Sequence, residues 1–181
     1  IRELFSDVVL LSPTGTGKTL AFLLPLIALL DAEKKGAQAL IVVPSRELAI
    51  QIEQVVREMG SGYKANAVYG GRSVSKDKLD LQHEPSILIG TPGRIADHLR
   101  RRTISTQHLE YLVLDEFDKS LEIGFELDMK EILEALTSVE SKILTSEKLI
   151  ENGSPVMGNI DAAITILEWG DYQCTFCYKF H

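Results

Sequence analysis

Hydrophobic positions along this chain follow two alternating patterns. Short apolar runs rich in β-branched residues are separated by longer stretches in which apolar residues recur at helical spacing. The runs predict strands at 7–11, 39–43, 64–68, 86–89, 111–114 and 142–145. The longer stretches predict helices at 18–30, 46–59, 95–101 and 126–136. Strand–helix alternation of this kind predicts an α/β fold, a mostly parallel sheet flanked by helices. Ala39-Leu40-Ile41-Val42-Val43 and Tyr111-Leu112-Val113-Leu114 are apolar throughout, so their strands should be covered on both faces. Such sheets take ligands at the carboxyl ends of their strands. The most apolar stretch, 20–30, is interrupted by Pro25 and is too short to span a bilayer. It reads as a buried helix, and no membrane partner is expected.

The pattern changes near Ser146. Residues 147–153 suit a helix, Gly153-Ser154-Pro155 and Gly158-Asn159 form a turn-rich linker, and 163–168 suits another strand. Two units are therefore expected, 1–146 and 147–181. The second could also complete the sheet of the first, since it offers a helix and a strand in sequence. A length of 181 residues suits one ordinary domain and is too short for two full ones. The net charge of −7 argues against a generic basic coat for nucleic acid. A groove built from a few arginines and backbone amides remains compatible with it. The chain opens on Ile1 without a Met and shows no basic-then-apolar signal segment, which predicts a fragment. Its two cysteines, Cys174 and Cys177, lie close to the C-terminus; the cysteine-free remainder suits a reduced, intracellular protein.

The first strand runs into Ser12-Pro13-Thr14-Gly15-Thr16-Gly17-Lys18-Thr19 and then an apolar helix. Strand, small-residue loop and helix N-terminus are the context a phosphate-binding loop requires. Glycines let backbone amides approach phosphate oxygens, and the helix dipole favours the anion. Thr14 to Thr19 would cradle the phosphates of ATP or ADP, with Lys18 reaching the β- and γ-phosphates and the Thr19 hydroxyl holding Mg²⁺. The competing reading is a glycine-rich turn with a solvated lysine. Asp115-Glu116-Phe117-Asp118 closes a fully apolar strand far downstream. There Asp115 could hold Mg²⁺ through water and Glu116 could polarise the attacking water. An acidic strand end alone is as often a helix cap; with the phosphate loop it makes a hydrolytic site.

Ser12–Thr19 resembles motif I of the DEAD-box RNA helicases, with Ser12 where that family usually has Ala. Pro44-Ser45-Arg46-Glu47-Leu48-Ala49 resembles motif Ia, Gly70-Gly71 the double glycine, Thr91-Pro92-Gly93-Arg94 motif Ib, and Asp115–Asp118 motif II with Phe117 in place of Ala. The resemblance implies a RecA-like ATP-binding lobe that hydrolyses ATP in the cytoplasm. It also implies that Arg46, Gly71, Thr91, Gly93 and Arg94 contact the RNA sugar-phosphate backbone. Such contacts position without reading base sequence and weaken with salt. Alone, Arg46 reads as a pair with Glu47 or another surface acid, Arg94 as a helix-start residue in solvent, and Arg100-Arg101-Arg102 as a solvated helix end.

Three departures stand out. The family's adenine-binding Q motif would lie upstream of Ile1. Its motif III, Ser-Ala-Thr, is replaced by Ser146-Glu147-Lys148. The second RecA-like lobe, whose arginines are worth about 10³–10⁵ in rate, is not among these residues. Unwinding is therefore not expected of the chain by itself, and a nucleotide- or RNA-binding module without turnover is the milder reading. From Gly153 onward, Ile164–Trp169 and Asp171-Tyr172-Gln173-Cys174-Thr175-Phe176-Cys177 resemble the start of DsbA-like thioredoxin-superfamily oxidoreductases. That resemblance implies a thioredoxin-like β-α fragment in which Cys174 attacks and Cys177 resolves. It makes the chain a chimera. His83, His98, His108 and His181 show no convergent ligand set.

Overall fold

The computed structural model describes residues 8–11, 17–136 and 141–146. In chain order these form β1 (Val8–Leu11), α1 (Lys18–Leu29), β2 (Ala39–Val42), α2 (Arg46–Glu58), β3 (Ala65–Val68), α3 (Val74–Asp80), β4 (Ile87–Gly90), α4 (Pro92–Arg100), β5 (Tyr111–Leu114), α5 (Phe117–Glu122), α6 (Glu126–Ala135) and β6 (Ser141–Ser146). The six strands lie in the order β1-β6-β5-β2-β4-β3. Every neighbouring pair is parallel. All carboxyl ends therefore share one edge of the sheet, the edge at which such folds bind ligands.

Both faces of the sheet are covered, as the unbroken apolar strands require. On one face Ala39, Ile41, Val43, Ile87, Ile89 and Val113 pack against Phe22, Leu23 and Leu26 of α1 and Ala49, Ile52 and Val56 of α2. On the other, Leu40, Val42, Leu88, Leu112 and Leu114 pack against Ile95 and Ala96 of α4 and Met129 and Ile132 of α6. The period of two along each strand assigns alternate residues to the two cores. α1 runs through Pro25 without a break. It is one-sided and not wholly buried, since Leu20 and Leu24 are exposed.

Local chemistry explains most boundaries. Ser45 caps α2 by accepting a hydrogen bond from the Leu48 amide at 3.2 Å. α4 starts at Pro92, three residues before Ile95, because proline's fixed φ suits the first helical position. The periodicity passes over α3 and α5. The only buried residue of α3 is Asp77, and its Leu79 is exposed. A helix anchored by a buried acid carries no apolar stripe to read. Among the described residues no helix is long and apolar enough to cross a membrane. The helix and strand expected at 147–153 and 163–168 lie outside the described residues.

Candidate functional site

The sheet order sorts the predicted site residues into two halves of one edge. β1 and β5, flanking β6, carry the phosphate-loop residues and the acidic strand end. β2, β4 and β3 lie side by side and carry Arg46, Thr91–Arg94 and Gly71. Along the chain these groups are interleaved; in the sheet they are separate.

On the first half, Gly17, Lys18, Thr19, Asp115 and Glu116 line one cleft of about 560 Å³ together with Leu48, Gln51, Val55, Glu58 and Met59 of α2 and its end. Thr14, Gly15 and Thr16 lie outside the described residues. Gly17 caps α1 at φ 88°, a left-handed conformation open to glycine at little cost. Lys18 follows at the helix start, with its Nζ buried and without a hydrogen-bond partner among the described residues. A buried ammonium left without an acceptor is costly, and phosphate oxygens would satisfy it. The site thus fits a nucleotide phosphate on a feature of its own. Asp115 is 3% exposed, its amide donating to the Val42 carbonyl at 2.9 Å. Among the described residues no group of three His, Cys, Asp or Glu could hold a metal alone. Mg²⁺ needs no such group, since it takes one or two carboxylates and completes its shell with phosphate and water. Thr19 and Asp115 on one cleft fit that habit.

Glu116 adopts φ 50° and ψ 47°, left-handed for a side chain that rarely accepts it. Its carboxylate meets Lys119 Nζ at 3.3 Å. Backbone strain held at a site is commonly part of its function. Asp118 has one carboxylate oxygen buried without a hydrogen-bond partner among the described residues.

The second half is organised differently. Arg46 is well exposed and its Nε donates to Glu47 Oε1 at 2.6 Å. That bond raises the arginine's pKa and lowers the glutamate's. Gly71 has nothing within 4 Å of the place a Cβ would occupy, so its backbone faces open space. Gly90 is the reverse case. A Cβ there would lie 2.7 Å from the Val68 carbonyl oxygen and from Ile95 Cδ1, so only glycine lets α4 close onto β3. Thr91 is buried and donates its amide to the Val68 carbonyl at 3.2 Å. Arg94 is not a solvated helix-start residue. Its Nε donates to Asp77 Oδ2 at 2.7 Å and its NH2 to the Arg72 carbonyl at 2.9 Å. Arg100 and Arg101 pair at the surface with Glu131 and Asp97, as a solvated helix end would.

Asp77 escaped the sequence reading, as did its pairing with His98. Neither residue belongs to a motif, and a buried acid–imidazole pair leaves no periodic trace. Cys174 and Cys177 lie outside the described residues.

The comparisons agree with this geometry. The DEAD/DEAH box helicase family model matches residues 1–147. An ATP-dependent RNA helicase CshA of Listeria monocytogenes is 42% identical over 142 residues, 77% of this chain and 27% of the relative. The DEAD-box ATP-dependent RNA helicase CshA of Bacillus subtilis is 38% identical over the same share of the chain. The chain thus spans a little over a quarter of these relatives' length. A DEAD box protein from Methanococcus jannaschii superposes with a TM-score of 0.73 at 34% identity, covering 82% of this chain and 41% of that one. The RNA-helicase Prp28 from Chaetomium thermophilum, solved with ADP, superposes with a TM-score of 0.69 at 32% identity, covering 81% and 37%. With a RecA-like α/β sheet, both halves of its edge and this extent of match, the chain belongs to the DEAD/DEAH box helicase family.

Proposed function

We propose that this chain supplies the nucleotide-holding lobe of a cytoplasmic ATP-dependent RNA helicase. The observation that carries this reading is the buried Nζ of Lys18, without a hydrogen-bond partner among the described residues, on the cleft that Asp115 and Glu116 also line. Thr14, Gly15, Thr16 and Gly17 would offer amides to phosphate, and Lys18 would neutralise the β- and γ-phosphate oxygens. Thr19 would hold Mg²⁺ directly and Asp115 through water. Bound Mg²⁺ supplies charge neutralisation at the phosphate oxygens. Glu116 would accept a hydrogen bond from the attacking water, orient it toward the γ-phosphorus and draw off its proton.

Arg46, Gly71, Thr91, Gly93 and Arg94 form the proposed RNA face. Backbone recognition there is independent of base identity. A second RecA-like lobe is the proposed partner for unwinding, since transition-state arginines of such a lobe are worth about 10³–10⁵ in rate. The residues matched to the family end at 147, and the Cys174/Cys177 pair lies beyond them. That Cys-x-x-Cys favours a second, separate reading of 147–181 as a thiol–disulfide oxidoreductase segment. A disulfide-reduction assay with a Cys174→Ser control tests it, and activity indifferent to the substitution removes it.

The primary test is thermal unfolding with and without Mg-ADP, on this chain and on Lys18→Ala. Ligand at about 100 times its dissociation constant should stabilise the protein by about 2.7 kcal/mol. The shift should vanish in Lys18→Ala. An equal shift in both proteins would remove Lys18 from the site.

A further inference from the structure

Two loops of the proposed RNA face, β3–α3 with Gly71 and β4–α4 with Thr91 and Gly93, belong to neighbouring strands but share no covalent tie. A single buried carboxylate joins them. Asp77, with none of its side chain exposed, accepts from Arg94 Nε at 2.7 Å and lies 2.6 Å from Arg94 NH2. Its other oxygen, buried and without a hydrogen bond among the described residues, lies 3.5 Å from Arg72 Nε, an ion pair rather than a hydrogen bond. Arg72 follows Gly71 directly, and Arg94 follows Gly93 directly. Arg94 closes the circuit by donating to the Arg72 carbonyl at 2.9 Å. Arg72 is held on its far side by Asp80 and lies 6.0 Å from the Tyr69 ring centroid.

The carboxylate is fixed from behind by α4. His98, wholly buried, brings Nε2 to 3.1 Å from Asp77 Oδ2, and its Nδ1 lies 2.5 Å from Thr103 Oγ1. A carboxylate can only accept, so Nε2 carries the proton and donates. Every nitrogen of Arg94 thereby has an internal partner: Nε and NH2 as above, and NH1 at 3.8 Å from Asp97. With 11% of its side chain exposed, Arg94 has little charge to present outward.

We propose that Asp77 is a positioning residue that sets the spacing of the two RNA-facing loops through Arg72 and Arg94, with His98 holding its carboxylate in place. This rests on reading that edge of the sheet as the RNA face. Arg94 serves RNA chiefly by holding the Gly71 and Thr91–Gly93 backbone in register. Asp77 never touches the nucleic acid, yet affinity depends on its charge.

The test is fluorescence anisotropy of a labelled single-stranded oligouridylate, at low salt, with the full chain and Asp77→Asn. Circular dichroism establishes that each protein is folded, and the Mg-ADP melting shift is read in parallel. RNA affinity should fall about tenfold, the worth of one charge-assisted hydrogen bond, while the Mg-ADP shift stays. Adding Asp77→Asn to Arg94→Gln should cost little more, because the two act through one another. Equal RNA binding by folded Asp77→Asn overturns the linkage alone. Parallel loss of RNA and Mg-ADP binding, or additive losses with Arg94→Gln, overturns it in favour of general structural damage. Failure of the unsubstituted chain to bind oligouridylate overturns the RNA face and the linkage with it. Should Asp77→Asn not fold, His98→Gln carries the same measurements with the same outcomes.

Discussion

The two halves of the sheet edge treat charge in opposite ways. At the cleft between β1 and β5, Lys18 keeps a buried ammonium without a partner among the described residues, and Glu116 holds a left-handed backbone. At the β3–β4 half, Arg72 and Arg94 spend their charge on Asp77, Asp80 and the backbone. A phosphate loop must deliver charge to its ligand, so that charge stays unspent in the protein. A backbone-reading face needs amides and spacing, so its cations can be used as internal braces. A left-handed residue and an unmet ammonium mark the first half, and internal ion pairs brace the second.

Opposite stability effects would sharpen this contrast, and the largest is expected at Asp77. Replacing Asp77 by Ala leaves two guanidinium groups and an imidazole facing a void, and breaking a buried pair costs about 3–5 kcal/mol. Urea unfolding should show that loss; a loss near zero would mean water replaces the carboxylate and the brace is cosmetic. Lys18→Met should move the ligand-free protein the other way. It removes an unsatisfied buried donor, and the gain should be about 1–3 kcal/mol, read as a higher ligand-free melting temperature. A lower one would mean that Lys18 has a partner in the resting protein.

Glu116→Gly should also stabilise, by up to about 1 kcal/mol, because glycine accepts the left-handed backbone at little cost. Hydrolysis in the assembled enzyme should fall with it. A variant less stable than the parent would place the strain elsewhere. The smallest effect belongs to the surface. Arg101 donates to Asp97 and holds its carboxyl below the usual range. A depressed folded pKa contributes stability above the unfolded value, lost as pH falls through the folded one. Arg101→Ala should therefore be slightly less stable at neutral pH, and the difference should close below about pH 4. A difference that persists in acid would point to packing by the arginine stem.

Much of this was legible in the chain. The positions of β2, β4 and β5 follow from apolar runs because burial on both faces leaves polar residues no place in them. Motif spacing placed Lys18, Thr19, Asp115 and Glu116 on one hydrolytic site, and the cleft brings Lys18, Thr19, Asp115 and Glu116 together. A pair of Arg46 with Glu47 or another surface acid was the plain reading of its neighbourhood, and the structure has the pair with Glu47. Arg94, read alone, looked like a solvated helix start, because its partner lies 17 residues away on a helix without apolar periodicity.

The sequence by itself determined the elements, because strand and helix periods are local consequences of which side chains must leave water. It also pointed to the residues proposed to hold phosphate, because a glycine-rich stretch before a helix is a local pattern. Only the tertiary structure decided that β5 lies beside β6, and β6 beside β1, which separates the acidic strand end from the loops proposed to face RNA, which it follows in the chain. Only the tertiary structure brought Asp77, Arg72, Arg94 and His98 onto one carboxylate. Strand order and buried polar networks depend on contacts between distant segments, whose strength comes from exclusion of water by the whole core, and no local pattern encodes that.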